Sequence, residues 1–291
     1  MFNWLQKVIT FIKLITGGKV GRRKATRRSA WHADYALGQS CGKKRPRNED
    51  SLYADTWQVA WADVNSTAGL FLVADGMGGH ANGQLASKTA TVVFTEVFKS
   101  NLPSLNQGDG MIDPAKVAVV MQQALHSAHQ AVIQRVPGGG TTLTAVYHQN
   151  GSAWFIHAGD TRCYLFPPEG APQLLTTDHS LVQRLVDIGQ IFPEKAAHDP
   201  RRNILYMALG QAELLEPESG TLAIPSGATL LLCSDGLWGS VQSEEITDVL
   251  MSDDPLQVKA NRLVDAANAA GGPDNISVCL VKCWQEGARS K

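Results

Sequence analysis

The sequence has little of what marks secreted, membrane-spanning or nucleic-acid-binding chains. Its 291 residues include five cysteines, Cys41, Cys163, Cys233, Cys279 and Cys283, an odd and scattered set. That argues against a disulfide framework. With no CxxC pair it also argues against a structural zinc site, so the cysteines read as small core residues in a reducing compartment. No apolar run reaches the roughly 18 residues of a membrane-spanning helix. Charged residues make up only 18% and the net charge is −1, which removes any whole-chain attraction for polyanions. Internal repeats and low-complexity tracts are absent. What is present, 44% hydrophobic residues, suits a soluble enzyme-sized chain able to bury about three quarters of its unfolded surface. The cytoplasm is the expected location.

The charge is unevenly spread. Residues 1–30 carry eight basic groups and no acid, which leaves 18 basic against 27 acidic residues, or −9, for the remainder. Within this head Trp4, Val8, Phe11 and Ile15 recur at helical spacing, widened by Leu5, Ile9 and Ile12. Gln6, Lys7, Thr10 and Lys13 share the polar arc, and Gly17-Gly18 end the pattern. Such a helix with a basic tail suits an anionic bilayer surface, at the inner face of the membrane, or a docking partner. A terminal helix packed on its own domain is the alternative. The chain thus divides into a basic amphipathic segment (1–30), a main domain (31–285) and a short tail (286–291).

Beyond residue 30 the pattern predicts short buried strands at 59–62 and 70–74. A helix over 84–99 has Leu85, Thr89, Val92, Val93 and Val97 on one face, and a second over 115–133 runs from Ala115 through Val119, Leu125 and Ala128 to Ile133. Strands follow at 142–148, 152–157, 163–166, 228–233 and 276–282. Two consecutive helices, with the strands mostly elsewhere, argue for an α+β domain of antiparallel sheets flanked by helices rather than repeated βαβ units.

The informative feature is where acidic residues fall. Asp75 closes FLVAD, Asp160 closes WFIHAGD, Asp235 closes LLLCSD, Asp274 sits in GGPDN before a strand, and Glu49-Asp50 precede another at Ser51. One Asp-Gly marks a turn and nothing more. Several strand-end carboxylates, if gathered at one end of a sheet, would repel one another and call for cations. Oxygen ligands without His or Cys select hard ions, Mg²⁺ or Mn²⁺. Spacing alone does not state whether they converge.

Eight segments in order carry a resemblance: RPRNEDS (45–51), VADGMGGH (73–80), GGTTLTA (139–145), HAGDTRCYLF (157–166), TTDHSLVQRLVDIGQI (176–191), RNILYMALG (202–210), LLCSDGLWGSV (231–241) and GGPDNISV (271–278). Together they resemble the metal-dependent Ser/Thr phosphatases of the protein phosphatase 2C (PPM) family, its bacterial branch in particular. The resemblance implies a sandwich of two antiparallel sheets flanked by helices, in α-β-β-α layers, with two metal ions in a cleft at one end.

Carried over by position, Asp75, Asp235 and Asp274 would hold one metal; Glu49, Asp75 and the Gly76 carbonyl would hold the second. Asp160, with Asp235, would support a weaker third. Asp50 would position metal-bound water, and Arg45 would grip the substrate phosphate. Arg47 is its neighbour but has the wrong spacing. The implied reaction is hydrolysis of phosphoserine and phosphothreonine in proteins by a water activated between two ions, opposing a Ser/Thr kinase. Phosphorylated proteins and that kinase are the expected partners, nucleic acid is not, and the expected assembly is a monomer.

One departure matters. Eukaryotic members carry a His after the bridging Asp-Gly as general acid, and here the position is Met77. Methionine donates no proton, which leaves water or the nearby His80. The segment 176–205 resembles the bacterial flap, with Leu181, Leu185 and Ile188 as its packing face. The other histidines read as core or surface residues.

Two other chemistries are weaker. Cysteine-phosphatase spacing, Cys-x₅-Arg, occurs at Cys41–Arg47 and Cys283–Arg289. The first loop contains Pro46, which lacks an N–H for phosphate, and the second leaves too little chain for an anion-binding helix. A metal nuclease would want a basic groove, against the acidic body. A catalytically dead regulatory module would have lost ligands, and all four principal carboxylates remain.

Overall fold

The runs FLVA and LLLC are apolar at every position, which a strand requires only when both of its faces are buried. The computed structural model describes residues 29–61, 64–78, 81–107, 111–196, 199–211 and 215–287, and shows why these runs read that way. Two five-stranded antiparallel sheets lie face to face. One has the order Trp31–Ser40, Ile276–Gln285, Thr229–Cys233, Arg162–Phe166, Gln173–Leu174. The other runs Glu218–Ala223, Ser152–Ala158, Leu143–Gln149, Val64–Ala74, Ser51–Trp61.

Successive side chains point to opposite faces of a strand. Phe71 and Val73 therefore meet Leu230, Leu232, Cys279 and Val281 between the sheets. Leu70 and Leu72 face outward onto the helices Ala81–Leu105 and Pro114–Arg135. Across the sandwich Leu231, Cys233, Val278 and Leu280 face outward onto Ser243–Met251 and Leu256–Ala269. Helix, sheet, sheet and helix form the expected four layers, and Cys163, Cys233, Cys279 and Cys283 are buried and unpaired, as small core residues should be.

The helical faces match the expectation only in part: Thr89, Leu125 and Ala128 are buried, and Val93 and Val97 pack against the core. In Ala81–Leu105 the buried stripe is Ala86, Ala90, Phe94 and Phe98, while Leu85 and Val92 are exposed. In Pro114–Arg135 it is Val117, Val120, Met121, Ala124 and Ala128, while Val119 and Ile133 face outward. Both helices run the length of the sheet packed on each other, and small residues let their backbones close in. Apolar size is then a poor guide to burial. Asp113 caps the second helix, its carboxylate accepting from the Ala115 amide at 3.0 Å with Pro114 in the first turn. The strand Trp31–Ser40 and the two helices of the opposite layer went unread in the sequence. Among the described residues no helix is long and apolar enough to cross a membrane. The amphipathic head, up to residue 28, and His80 lie outside the described residues.

Candidate metal-binding active site

Strand register decides which chain ends meet. Ser51 pairs with Ala74, so Glu49 and Asp50 arrive beside Asp75. Arg162 pairs with Cys233, which brings Asp160 to Asp235. Cys233 pairs with Val278, and the Ser234 amide donates to the Ser277 carbonyl at 3.1 Å, which brings Asp235 to Asp274. All five strand-end positions therefore fall at one end of the sandwich. Glu49, Asp75, Gly76, Asp160, Asp235 and Asp274, with Arg45 and Arg47, line a single cavity of about 470 Å³. Asp50 stands behind its wall rather than in it: its Oδ2 accepts from the Ser234 hydroxyl at 2.8 Å.

The electrostatics of this cavity are costly. Burial, then the charges of Asp50 and Asp235, push Asp75 well above the usual carboxylate range. Burial, then Asp160 and Asp274, does the same to Asp235. Asp160 is raised to about 7 by burial and by Asp178, and Asp50 to about 6 by burial. Buried carboxylates are normally paired or hydrogen-bonded, yet Oδ1 of Asp235 and Oδ1 of Asp50 are shielded from solvent and have no partner. Orphaned oxygens in an all-oxygen donor set fit hard divalent cations. The Arg45 guanidinium donates to Asp274 Oδ2 at 2.6 Å and is half exposed.

Several residues hold the cavity in shape that motif reading passed over. Asn275 accepts the Glu49 amide at 2.7 Å and donates to the Cys41 and Arg47 carbonyls at 2.9 Å each, so it clamps both ends of the loop bearing Arg45. A Cβ on Gly83 would lie 2.2 Å from Glu49 Oε2, and one on Gly76 would lie 2.2 Å from the Gly83 carbonyl. Gly83 thus lets its backbone press on the Glu49 carboxylate, and Gly76 lets its own pack against Gly83 and the Glu49 main-chain carbonyl. Their signal was a further Gly seven residues after Gly76, which has no periodicity to notice. We expect Gly83→Ala to weaken metal affinity about 10- to 100-fold, the size of effect found for residues that orient ligands. Calorimetric Mn²⁺ titration of the folded variant checks this, and unchanged affinity would show that Glu49 has room to move.

On the far side, Arg162 makes two hydrogen bonds to Asp178, at 2.9 and 2.7 Å, and stacks 3.6 Å over the Trp238 ring. The indole in turn donates to the Asp160 carbonyl at 3.1 Å. His179 accepts the Gly159 amide at 3.1 Å and donates its own amide to the Gly159 carbonyl at 2.7 Å, tying the 176–180 segment to the Asp160 turn. His157, His179 and Glu218 form a second ligand-type cluster. Both ring nitrogens of His157 are already taken, by Thr144 and the Thr177 carbonyl, so this cluster is a structural junction. The helix Leu181–Asp187 buries Val182, and Ile188 is exposed, so its packing face is not the Leu181–Leu185–Ile188 line expected from spacing. Met77 lines the cavity, and no histidine does among the described residues.

Comparison with known proteins identifies the family. The protein phosphatase 2C family model matches residues 37–254. The chain belongs to the protein phosphatase 2C family. It is 37% identical to protein phosphatase PhpP of Streptococcus pneumoniae over 257 residues, 88% of this chain and 99% of that one. The crystal structure of the Mycobacterium tuberculosis serine/threonine phosphatase PstP/Ppp superposes with a TM-score of 0.73 at 31% identity, covering 86% of this chain and 98% of that one. A PstP catalytic domain in complex with two manganese ions gives a TM-score of 0.72 at 30% identity over 88% of this chain and all of that one.

Proposed function

We propose that this chain hydrolyses phosphoserine and phosphothreonine in proteins, opposing a Ser/Thr kinase, with two divalent ions, Mg²⁺ or Mn²⁺, in the carboxylate cavity. The observation that carries the proposal is the convergence of five carboxylates, one with an orphaned buried oxygen, beside a half-exposed arginine. Asp75, Asp235 and Asp274 would hold one ion and Glu49, Asp75 and the Gly76 carbonyl the other; Asp160 with Asp235 would form a weaker third site. Ions so placed supply Lewis acidity and a water that ionises near neutral pH.

The protein's own groups do the rest. Arg45 carries five donors and spends one on Asp274, which leaves the guanidinium fork for phosphate oxygens. Asp50, anchored by Ser234, is the residue placed to orient the attacking water from behind the wall. Asn275 keeps Arg45 and Glu49 on one rigid loop. The acidic lining disfavours a nucleic-acid substrate. Phosphate release from a phosphothreonine peptide by the Mn²⁺-loaded protein tests the reading, and no release overturns it.

Two assignments concern residues outside those described. If His80 protonates the leaving oxygen, His80→Ala loses the high-pH limb of the kcat profile, and an unchanged limb removes it from the mechanism. Residues 1–30 are proposed to hold a monomeric catalytic domain (31–285) near an anionic membrane surface in the cytoplasm. Deleting them should move the protein from the membrane to the soluble fraction, and unchanged partition overturns that role.

A further inference from the structure

A second cavity of about 740 Å³ opens beside the carboxylate site and shares Arg45, Asn203, Asp235 and Asp274 with it. One wall is the flap, with Val182, Val186, Pro193 and Ala196; the other is the turn after the Asp235 strand, with Trp238 and Val241. Gln183 and Gln242 add neutral amides. Beyond the residues it shares with the carboxylate site, its charged lining residues are Arg162, Asp178 and Arg202. The deepest ion pair, Arg162 with Asp178, satisfies itself and lies flat against Trp238, so it presents a stacked, neutralised surface rather than a charge. We propose that this groove receives an uncharged, apolar side chain one or two residues from the phosphorylated residue of the substrate protein.

The inference rests on the phosphatase reading and deepens it. Arg45 borders both cavities, so a chain whose phosphate sits at Arg45 reaches the groove within one or two residues at about 3.5 Å each. Arg162 and Asp178 spend their charges on each other, so a charged side chain entering beside them would lose water without gaining an ion pair from that wall. An aliphatic one would gain contact with Val182, Val186 and Trp238.

The test uses the full-length Mn²⁺-loaded enzyme and phosphothreonine peptides that differ only at the two positions on either side, bearing Leu, Ala, Glu or Lys. At one position Leu should exceed Ala by about 10-fold in kcat/KM, with Glu and Lys below Ala. In Val186→Glu that leucine preference should vanish and Lys should become the better residue. Val186→Ser, expected to weaken the preference without reversing it, serves if the glutamate variant does not fold. Each rate is divided by that enzyme's turnover of p-nitrophenyl phosphate, which has no flanking chain. Equal rates for all peptides, or a leucine preference that survives both variants, overturn the groove while leaving the phosphatase intact. No release from any peptide overturns both.

Discussion

Asp235→Asn is expected to lower kcat/KM on a phosphothreonine peptide by on the order of 10³-fold, about 4 kcal/mol of transition-state stabilisation. The same substitution should raise the melting temperature measured in EDTA. One cause gives both effects. Without cations Asp235 is a buried carboxylate pressed by Asp160 and Asp274, with Oδ1 unpaired. Asparagine keeps the shape, removes the charge, and supplies an N–H to the neighbouring carboxylates. Each kcal/mol so relieved is worth roughly 2–4 °C in a domain of this size. Mn²⁺ should reverse the order: wild-type protein gains about 2.7 kcal/mol at 100 times the dissociation constant, and the variant gains little. Paired melts in EDTA and Mn²⁺ read this directly. A variant less stable than wild type in EDTA would mean that Asp235 is held by bonds the structure does not contain.

That crossed signature also explains what could be read from sequence. Strands were legible where both faces are buried, because 70–74 and 230–233 leave no polar position to confuse the pattern. The Trp31–Ser40 strand was not legible: it pairs with a single neighbour, Ile276–Gln285, and carries His32, Asp34, Tyr35 and Gln39. Helix positions were legible but helix faces only in part, because Ala86 and Ala90 are buried for their smallness and Leu85 is exposed despite its size. At the site, motif order named the carboxylates that the register brings together. It could not show Asn275 as the clamp of the Arg45 loop, or Gly83 as the floor under Glu49. Those roles depend on contacts between segments far apart in the chain.

Metal loading should also change the shape of the stability–pH curve, because the same fold buries two sets of groups with opposite linkage. His148 and His179 are pushed down to about 4, and His157 to about 3, all by burial. Their folded-state values lie below the ordinary 6.5, so the stability tied to keeping them neutral is complete above pH 6.5 and is lost as pH falls toward 4. At pH 5 each costs about 2 kcal/mol relative to pH 7. The site carboxylates run the other way. Asp50 at about 6 and Asp160 at about 7 are raised above the unfolded 3.8, and Asp75 and Asp235 are also raised well above it. The stability they contribute is complete below pH 3.8 and is lost as pH rises through 6–7. In EDTA the two sets oppose each other between pH 4 and 6.5. Three histidines against four carboxylates leave the curve there falling only gently, and it should fall more steeply above pH 6.5, where only carboxylates still ionise. Saturating Mn²⁺ holds those carboxylates ionised in the folded state and leaves the histidines alone, so stability should climb by several kcal/mol from pH 5 to 7. Urea unfolding at half-unit pH steps, with and without Mn²⁺, separates the cases. Parallel curves would mean that the cation does not bind the carboxylates at all, whereas His148→Gln should remove about a third of the metal-loaded slope and leave the fall above pH 6.5 in EDTA untouched.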